Sequence, residues 1–197
     1  MTSIQHLSQD EILSPLIENI ILPEREASQD LYLALLRSVV SQQLSVKAAA
    51  TIFKRFLQLF ENEYPEATQL LQIDNPTLRN AGLSAQKTAY LKNIATFYVE
   101  KGLDYQTISQ QTDEELIAYL TEIKGIGKWT VEMLLMFTLN RPDVFPADDL
   151  GIQNAMKKLY QLSASGKLLK KKMLEIAEKW QPYRTTACLY LWHWKDN

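Results

Sequence analysis

Leu120-Thr121-Glu122-Ile123-Lys124-Gly125-Ile126-Gly127-Lys128-Trp129-Thr130 reads as a helix that ends at Ile123, a turn of two glycines around one apolar residue, and a second helix that starts at once. Glycine reaches backbone conformations that other residues resist, so the chain can reverse sharply and let its backbone approach a ligand closely. The amides of such a turn and of the next helix's first turn have no intrahelical acceptor and suit a phosphate oxygen. Lys124 and Lys128 add positive charge on either side, and Ile126 is expected to anchor the turn in the core. A helical corner whose glycines serve packing alone is the competing reading. Two of only 6 glycines fall here, flanked by lysine on both sides, which favours the ligand-holding reading.

Working outward, apolar residues recur with helical period. Leu31, Leu35 and Val39, joined by Leu33, Leu36 and Val40, give residues 28–42 a broad apolar face. Residues 45–60 follow, with Ser45 as N-cap. Asn75-Pro76 opens a short helix that stops at Gly82, and Ser84 starts a longer one ending at Gly102. Asp113 is expected to cap the helix before the turn, whose Leu116, Ile117, Leu120 and Ile123 face inward. Beyond the turn the spacing predicts helices at about 128–139, from near Asp149, at 166–180, and at 183–195 after Pro182. No strand-like alternation persists and no linker divides the chain. The expectation is one all-α unit, a two-lobed helical bundle with a binding cleft between the lobes.

Bulk properties narrow the function. The 197 residues are 46% hydrophobic and 22% charged, as in an ordinary globular chain, and no apolar run nears the roughly 20 residues of a membrane span. Cys188 is the only cysteine, which excludes an intrachain disulfide and a cysteine-ligated iron–sulfur cluster. With only His6 and His193, a histidine-rich metal site is not expected. The net charge of −2 counts against a partner held by overall charge. It counts little against a protein touching a few phosphates on one face, because counterion release scales with the phosphates neutralised.

Five blocks in order then carry a resemblance. They are Ser41-Gln42-Gln43-Leu44-Ser45-Val46-Lys47-Ala48-Ala49; Ala81-Gly82-Leu83-Ser84 with Lys87; Lys124 to Thr130; Asp143-Val144-Phe145-Pro146-Ala147-Asp148-Asp149-Leu150; and Trp180 followed by Pro182-Tyr183-Arg184 and Ala187. Together the chain resembles the helix-hairpin-helix base-excision glycosylases, and within them the 3-methyladenine DNA glycosylase II branch. The resemblance implies a hairpin at about 116–139 inside a single domain spanning 1–197, without the additional N-terminal domain of larger relatives. It implies a monofunctional enzyme that flips alkylated purines of the 3-methyladenine and 7-methylguanine type out of double-stranded DNA and hydrolyses the N-glycosidic bond.

The family's essential aspartate follows the hairpin by about twenty residues. Asp149 lies 22 residues after Gly127, at the start of a helix and directly before Leu150. Asp148 is its rival, and a plain N-cap is the competing reading for both. The two roles are compatible, because a carboxylate is favoured at a helix N-terminus. By resemblance, Trp129, Trp180 and Tyr183 form the base pocket. Gln43 is the plug that fills the gap left by the flipped base, and Leu83 is a wedge. Lys124, Gly125, Gly127, Lys128 and Thr130 contact DNA. Trp129 stands where bifunctional relatives place a Schiff-base lysine, which implies base release without strand cleavage. Leu150 stands where some relatives have tyrosine, which implies a narrower or different set of lesions. No cofactor is required. The carbonyls of Thr121, Ile123 and Ile126 are the expected holders of a monovalent cation, Na or K. A monomer in the cytoplasm, or in the nucleus of a eukaryote, is expected. The alternative function is a non-catalytic hairpin protein that binds DNA structure and has no use for Asp149.

Overall fold

The computed structural model describes residues 1–23 and 28–196, the side chain of Asp196 excepted. Among them every regular element is helical. In chain order these are α1 (Ser3–Leu7), α2 (Ser14–Asn19), α3 (Leu31–Ser41), α4 (Val46–Leu57), α5 (Ala67–Gln72), α6 (Asn75–Asn80), α7 (Ala85–Lys101), α8 (Tyr105–Ser109), α9 (Asp113–Leu120), α10 (Lys128–Phe137), α11 (Leu150–Leu159), α12 (Gly166–Ala177) and α13 (Arg184–Asp196). Short 3-10 turns occupy Glu61–Glu63 and Glu178–Trp180. No described helix is long and apolar enough to cross a membrane.

The chain divides into two compact units. One comprises Ser28–Leu134, and the other the described residues of Met1–Ala27 with those of Leu135–Asn197. The boundary therefore falls inside α10, and the first unit is an insertion in the second. Within Ser28–Leu134, α7 packs on α3, α5 and α6, and α3 also packs on α4. Leu31, Leu35, Leu36, Val39 and Val40 of α3 and Leu91, Ile94 and Ala95 of α7 are buried, as spacings of three and four dictate. In the other unit α11 packs on α12 and α13, and α13 on α2.

Local chemistry sets most helix starts. Ser45 and Ser84 cap α4 and α7 as read from the sequence, accepting the amides of Ala48 and Lys87 at 3.3 and 3.2 Å. The cap of α9 is Thr112 and not Asp113. Thr112 Oγ1 accepts the Glu115 amide and Glu115 returns a bond to the Thr112 amide, a reciprocal pair that outcompetes a single aspartate. The helix before the turn ends at Leu120, and Ile123 belongs to the turn although buried as expected.

A carboxylate ties the N-terminal segment into its unit. Asp10 Oδ2 accepts the Trp180 indole N–H at 3.0 Å and the Tyr160 hydroxyl at 2.8 Å, while Oδ1 takes the amides of Ile12 and Leu13. Burial, the largest single influence, pushes the Asp10 carboxyl up, but the donors together outweigh it and hold it below the ordinary 3.8. A folded-state value below the unfolded one stabilises the protein above that range, and the gain disappears as pH falls through the folded value. Asp10→Asn is therefore expected to lower Tm at neutral pH by roughly 3–8 °C. Thermal melts should show the gap to wild type closing as the pH drops below the ordinary aspartate value.

Candidate nucleic-acid interface and active site

The turn between α9 and α10 is closed by the Ile126 amide on Ile123 O at 2.9 Å. The Gly127 carbonyl then accepts the amides of Thr130 and Val131 and starts α10. Ile126 is buried, as expected of an anchor. The two glycines serve different ends. Gly125 has φ +108° and sits on the ring of Tyr90, where a Cβ would lie 2.2 Å from Cγ. Only glycine fits there. Gly127 needs no such freedom, since a Cβ on it would meet nothing within 4 Å. The packing reading thus explains Gly125 alone. Gly127 leaves the backbone at the start of α10 bare, the geometry that a phosphate needs for close approach. Lys124 and Lys128 are exposed, and Lys128 Nζ lies 3.4 Å from Oε1 of the buried Glu132.

Helix α7 supports this turn. Asn93 Nδ2 donates to Lys124 O at 2.9 Å beside the Tyr90–Gly125 contact. The loop between α3 and α4 holds Gln43, exposed and in the left-handed region at φ +57°. Lys87 Nζ donates to the carbonyls of Val40 and Gln42 beside it, both at 2.8 Å.

Asp149 is the N-cap of α11. Its Oδ1 accepts the Ile152 amide at 2.8 Å and the Trp192 indole N–H at 2.9 Å. Two donors on one oxygen fix the plane of the carboxylate. Gly151 makes the contact possible, because a Cβ there would lie 2.9 Å from Asp149 Oδ1 and from two atoms of the Trp192 indole. The half-exposed Phe137 packs its ring against Trp192, centroids 5.8 Å apart and tilted by 31°. The rival Asp148 is exposed and paired with Lys170. The loop into α11 is pinned from α13: Arg184 Nε and Nη2 donate to the two carboxylate oxygens of Asp143 at 2.7 and 2.8 Å. Thr185 Oγ1 accepts the Val144 amide and donates to Arg141 O.

Four assignments made by resemblance change. Trp180 is 1% exposed, its indole N–H is spent on Asp10, and its ring packs on Phe145 and Tyr160, so it is a core residue and not a pocket wall. Tyr183 donates its hydroxyl to Met1 O and packs edge-on to His6, which commits it to the N-terminal segment. Leu83 is 3% exposed and cannot act as a wedge from that position. Thr130 is buried, its hydroxyl accepting from Gln42 Nε2 at 3.4 Å, and it braces the Gln43 loop in place of touching DNA. Trp129 is 38% exposed on the first turn of α10. The residues that sequence reading missed are Trp192, Phe137 and Gly151. A glycine just inside the helix that Asp149 starts was the available signal, because it makes room for a bulky neighbour.

A family model described as HhH-GPD superfamily base excision DNA repair protein matches residues 36–182. DNA-3-methyladenine glycosylase 1 of Schizosaccharomyces pombe is 43% identical over 163 residues, covering 82% of this chain and 71% of that protein. The solved structure of the Schizosaccharomyces pombe 3-methyladenine DNA glycosylase in complex with abasic DNA has a TM-score of 0.89 at 38% identity, covering 100% of this chain and 98% of that one. A DNA-3-methyladenine glycosidase from Bacillus halodurans has a TM-score of 0.84 at 35% identity, covering 99% and 89%.

The different roles of the two turn glycines are separable. Gly125→Ala is expected to lose about 1–3 kcal/mol of stability in urea titrations, through strain at positive φ and the clash with Tyr90. Gly127→Ala is expected to melt within about 0.5 kcal/mol of wild type and yet to bind duplex DNA more weakly, as read by fluorescence anisotropy.

Proposed function

The chain belongs to the HhH-GPD superfamily of base excision DNA repair proteins, and we propose that it is a monofunctional DNA glycosylase excising alkylated purines, with Asp149 as its essential carboxylate. The observation that carries the reading is the Asp149–Trp192–Phe137 arrangement. A carboxylate is fixed by two N–H donors on one oxygen and lies beside an aromatic pair with an exposed face. The similarity to proteins named 3-methyladenine DNA glycosylases supports the substrate class.

The chemistry follows from the substrate. A purine methylated at N3 or N7 is cationic and leaves readily. As the glycosidic bond breaks, positive charge grows on the sugar, and a fixed carboxylate stabilises that oxocarbenium-like transition state. Asp149 needs no reorganisation to do so, because Ile152 and Trp192 already hold it. It also serves to orient the water that attacks the sugar. A cationic base is well received on aromatic faces, which gives Phe137 and Trp192 their use beside Asp149. The target must leave the base stack first, with the hairpin gripping a phosphate and Gln43 filling the gap. Phosphate contacts position the duplex without reading sequence, which suits an enzyme that finds damage anywhere.

Trp129 stands in the Schiff-base position and has no amine, so strand cleavage is not part of the reaction. A monovalent cation on the carbonyls of Thr121, Ile123 and Ile126 belongs to the same proposal. Neutral oxygen donors suit such an ion, and Ile123 O keeps a second lone pair after accepting the Ile126 amide. The protein acts as a monomer on damaged duplex, in the cytoplasm or the nucleus. A non-catalytic DNA-structure binder would have no use for a carboxylate clamped in this way.

Base release from duplexes holding one 7-methylguanine or 3-methyladenine tests the reading. Asp149→Asn should slow single-turnover release by roughly 10²–10³-fold while leaving affinity for an abasic-site duplex within about twofold of wild type. Undiminished release by the variant would sink the assignment. Trp192→Phe keeps the aromatic packing and removes one donor to Oδ1, so the rate should fall by about tenfold. Borohydride should trap no covalent protein–DNA adduct.

A further inference from the structure

We propose that α7 sets the position of both backbone segments that meet DNA, through one stripe of side chains: Lys87, Tyr90 and Asn93. This inference rests on the glycosylase reading above. The three residues are spaced i, i+3, i+6 and so share a face of the helix. Each meets backbone, and the Tyr90 hydroxyl in addition accepts from Gln86 Nε2 at 2.7 Å. Lys87 donates to the carbonyls of Val40 and Gln42, at the end of α3. Tyr90 supplies the ring on which Gly125 rests. Asn93 donates to the Lys124 carbonyl. Gln42 closes the loop of contacts, its side chain reaching Thr130 at the start of α10.

The geometry has a functional consequence at Gln43. A non-glycine residue at φ +57° is held in a conformation that costs energy by itself. It persists where the flanking backbone is over-determined. Lys87 provides that restraint on the α3 side: its two charge-assisted bonds fix the carbonyls of Val40 and Gln42. On the other side, Ser45 starts α4 with its own cap. Burial pulls the Lys87 ammonium below the usual lysine value, as befits a cation set among carbonyls in place of water. An ordinary helix C-cap would satisfy the end of α3 equally well. It would not tie Gln43 to the same helix that seats the hairpin. With the tie, a duplex gripped at the hairpin meets Gln43 at a fixed offset along its backbone. The stripe residues are positioning residues, since none is assigned a contact with the base.

The test compares two substrates in single-turnover release: 7-methylguanine opposite cytosine, and 7-methylguanine opposite an abasic-site analogue. The second has no pair to break and little need of a plug. Lys87→Met should lose roughly tenfold on the first and less than about twofold on the second. Lys87→Arg, which keeps two donors, should restore most of the paired-substrate rate. Asn93→Ala should weaken duplex binding on both substrates alike, because it loosens the hairpin. An equal loss on both substrates in Lys87→Met, or a loss that merely tracks its melting temperature, overturns the proposal. Gln42→Ala removes the brace to Thr130 without touching Lys87. If Lys87→Met fails to fold, the same skew toward the paired substrate in Gln42→Ala supports the proposal, and no skew overturns it. A wild-type protein that releases no base from either duplex points instead to a failure of the glycosylase reading.

Discussion

The first turn of a helix carries amide N–H groups that its own backbone cannot satisfy, and the chain's use of these groups organises both functional stations. Among the described residues Thr2, Asp30, Ser45, Asp74, Ser84, Asp104 and Thr112 each turn a side-chain oxygen onto the amide three positions on. Those helix starts are closed, whereas α2, α5 and α12 begin without a side-chain cap. At α10 the preceding residue is Gly127, which has no side chain to close it. The start of α11 is closed by Asp149, which thereby acquires a fixed orientation. One helix start is left for an external anion. The other carries an internal anion, Asp149, whose charge the proposed function puts to chemical use. On the proposed function, the same backbone constraint yields a grip in one place and a catalytic group in the other.

Each station is held by a second helix, and each needs a glycine to let an aromatic ring approach. Tyr90 of α7 lies under Gly125, and Trp192 of α13 lies against Gly151. In both cases the same helix adds polar anchors: Asn93 and Lys87 one turn from Tyr90 on α7, and Arg184 and Thr185 two turns from Trp192 at the start of α13. Position is thus set by helix faces buried in their own units, while the groups that meet a substrate sit on loops and helix ends. That division lets the loops be bare or strained, as at Gly127 and Gln43, without being loose.

What could be read beforehand follows from how local each signal is. The caps at Ser45 and Ser84 and the long helices α3, α4 and α7 are encoded by neighbours in sequence and stand as read, as does the hairpin turn, save that its first helix is capped by Thr112 and ends at Leu120. The short helices α1, α2, α5 and α8 have at most six residues, too few for a periodic pattern to declare itself. Asp149 was legible through its spacing from Gly127. The surroundings of Asp149 were not, because Trp192 lies 43 residues further on and its contact depends on how α13 packs against α11. The same holds for Trp180, whose exchange of a pocket role for a core one is decided by Asp10, 170 residues away in sequence. Leu83 and Thr130 carry no sequence mark that separates an inward from an outward orientation. Only tertiary packing makes that choice.

The electrostatics of the site resolve the objection raised by an acidic chain. A net charge of −2 offers no general attraction to DNA, and the carboxylate that the proposed function sets beside the sugar is repelled by the flanking phosphates. Neither effect needs a basic surface to offset it. On the proposed function the start of α10 and the exposed Lys124 grip the backbone locally, and Oδ1 of Asp149 is already compensated by two N–H donors. The repulsion that remains falls on the ground state, in which the sugar is neutral. It is relieved as positive charge develops between the carboxylate and the departing base. An interaction that strengthens only along the reaction coordinate contributes to rate and not to ground-state binding. A modestly acidic protein with one well-held carboxylate is therefore suited to this chemistry, and a more basic site would hold intact DNA more tightly without releasing the base faster.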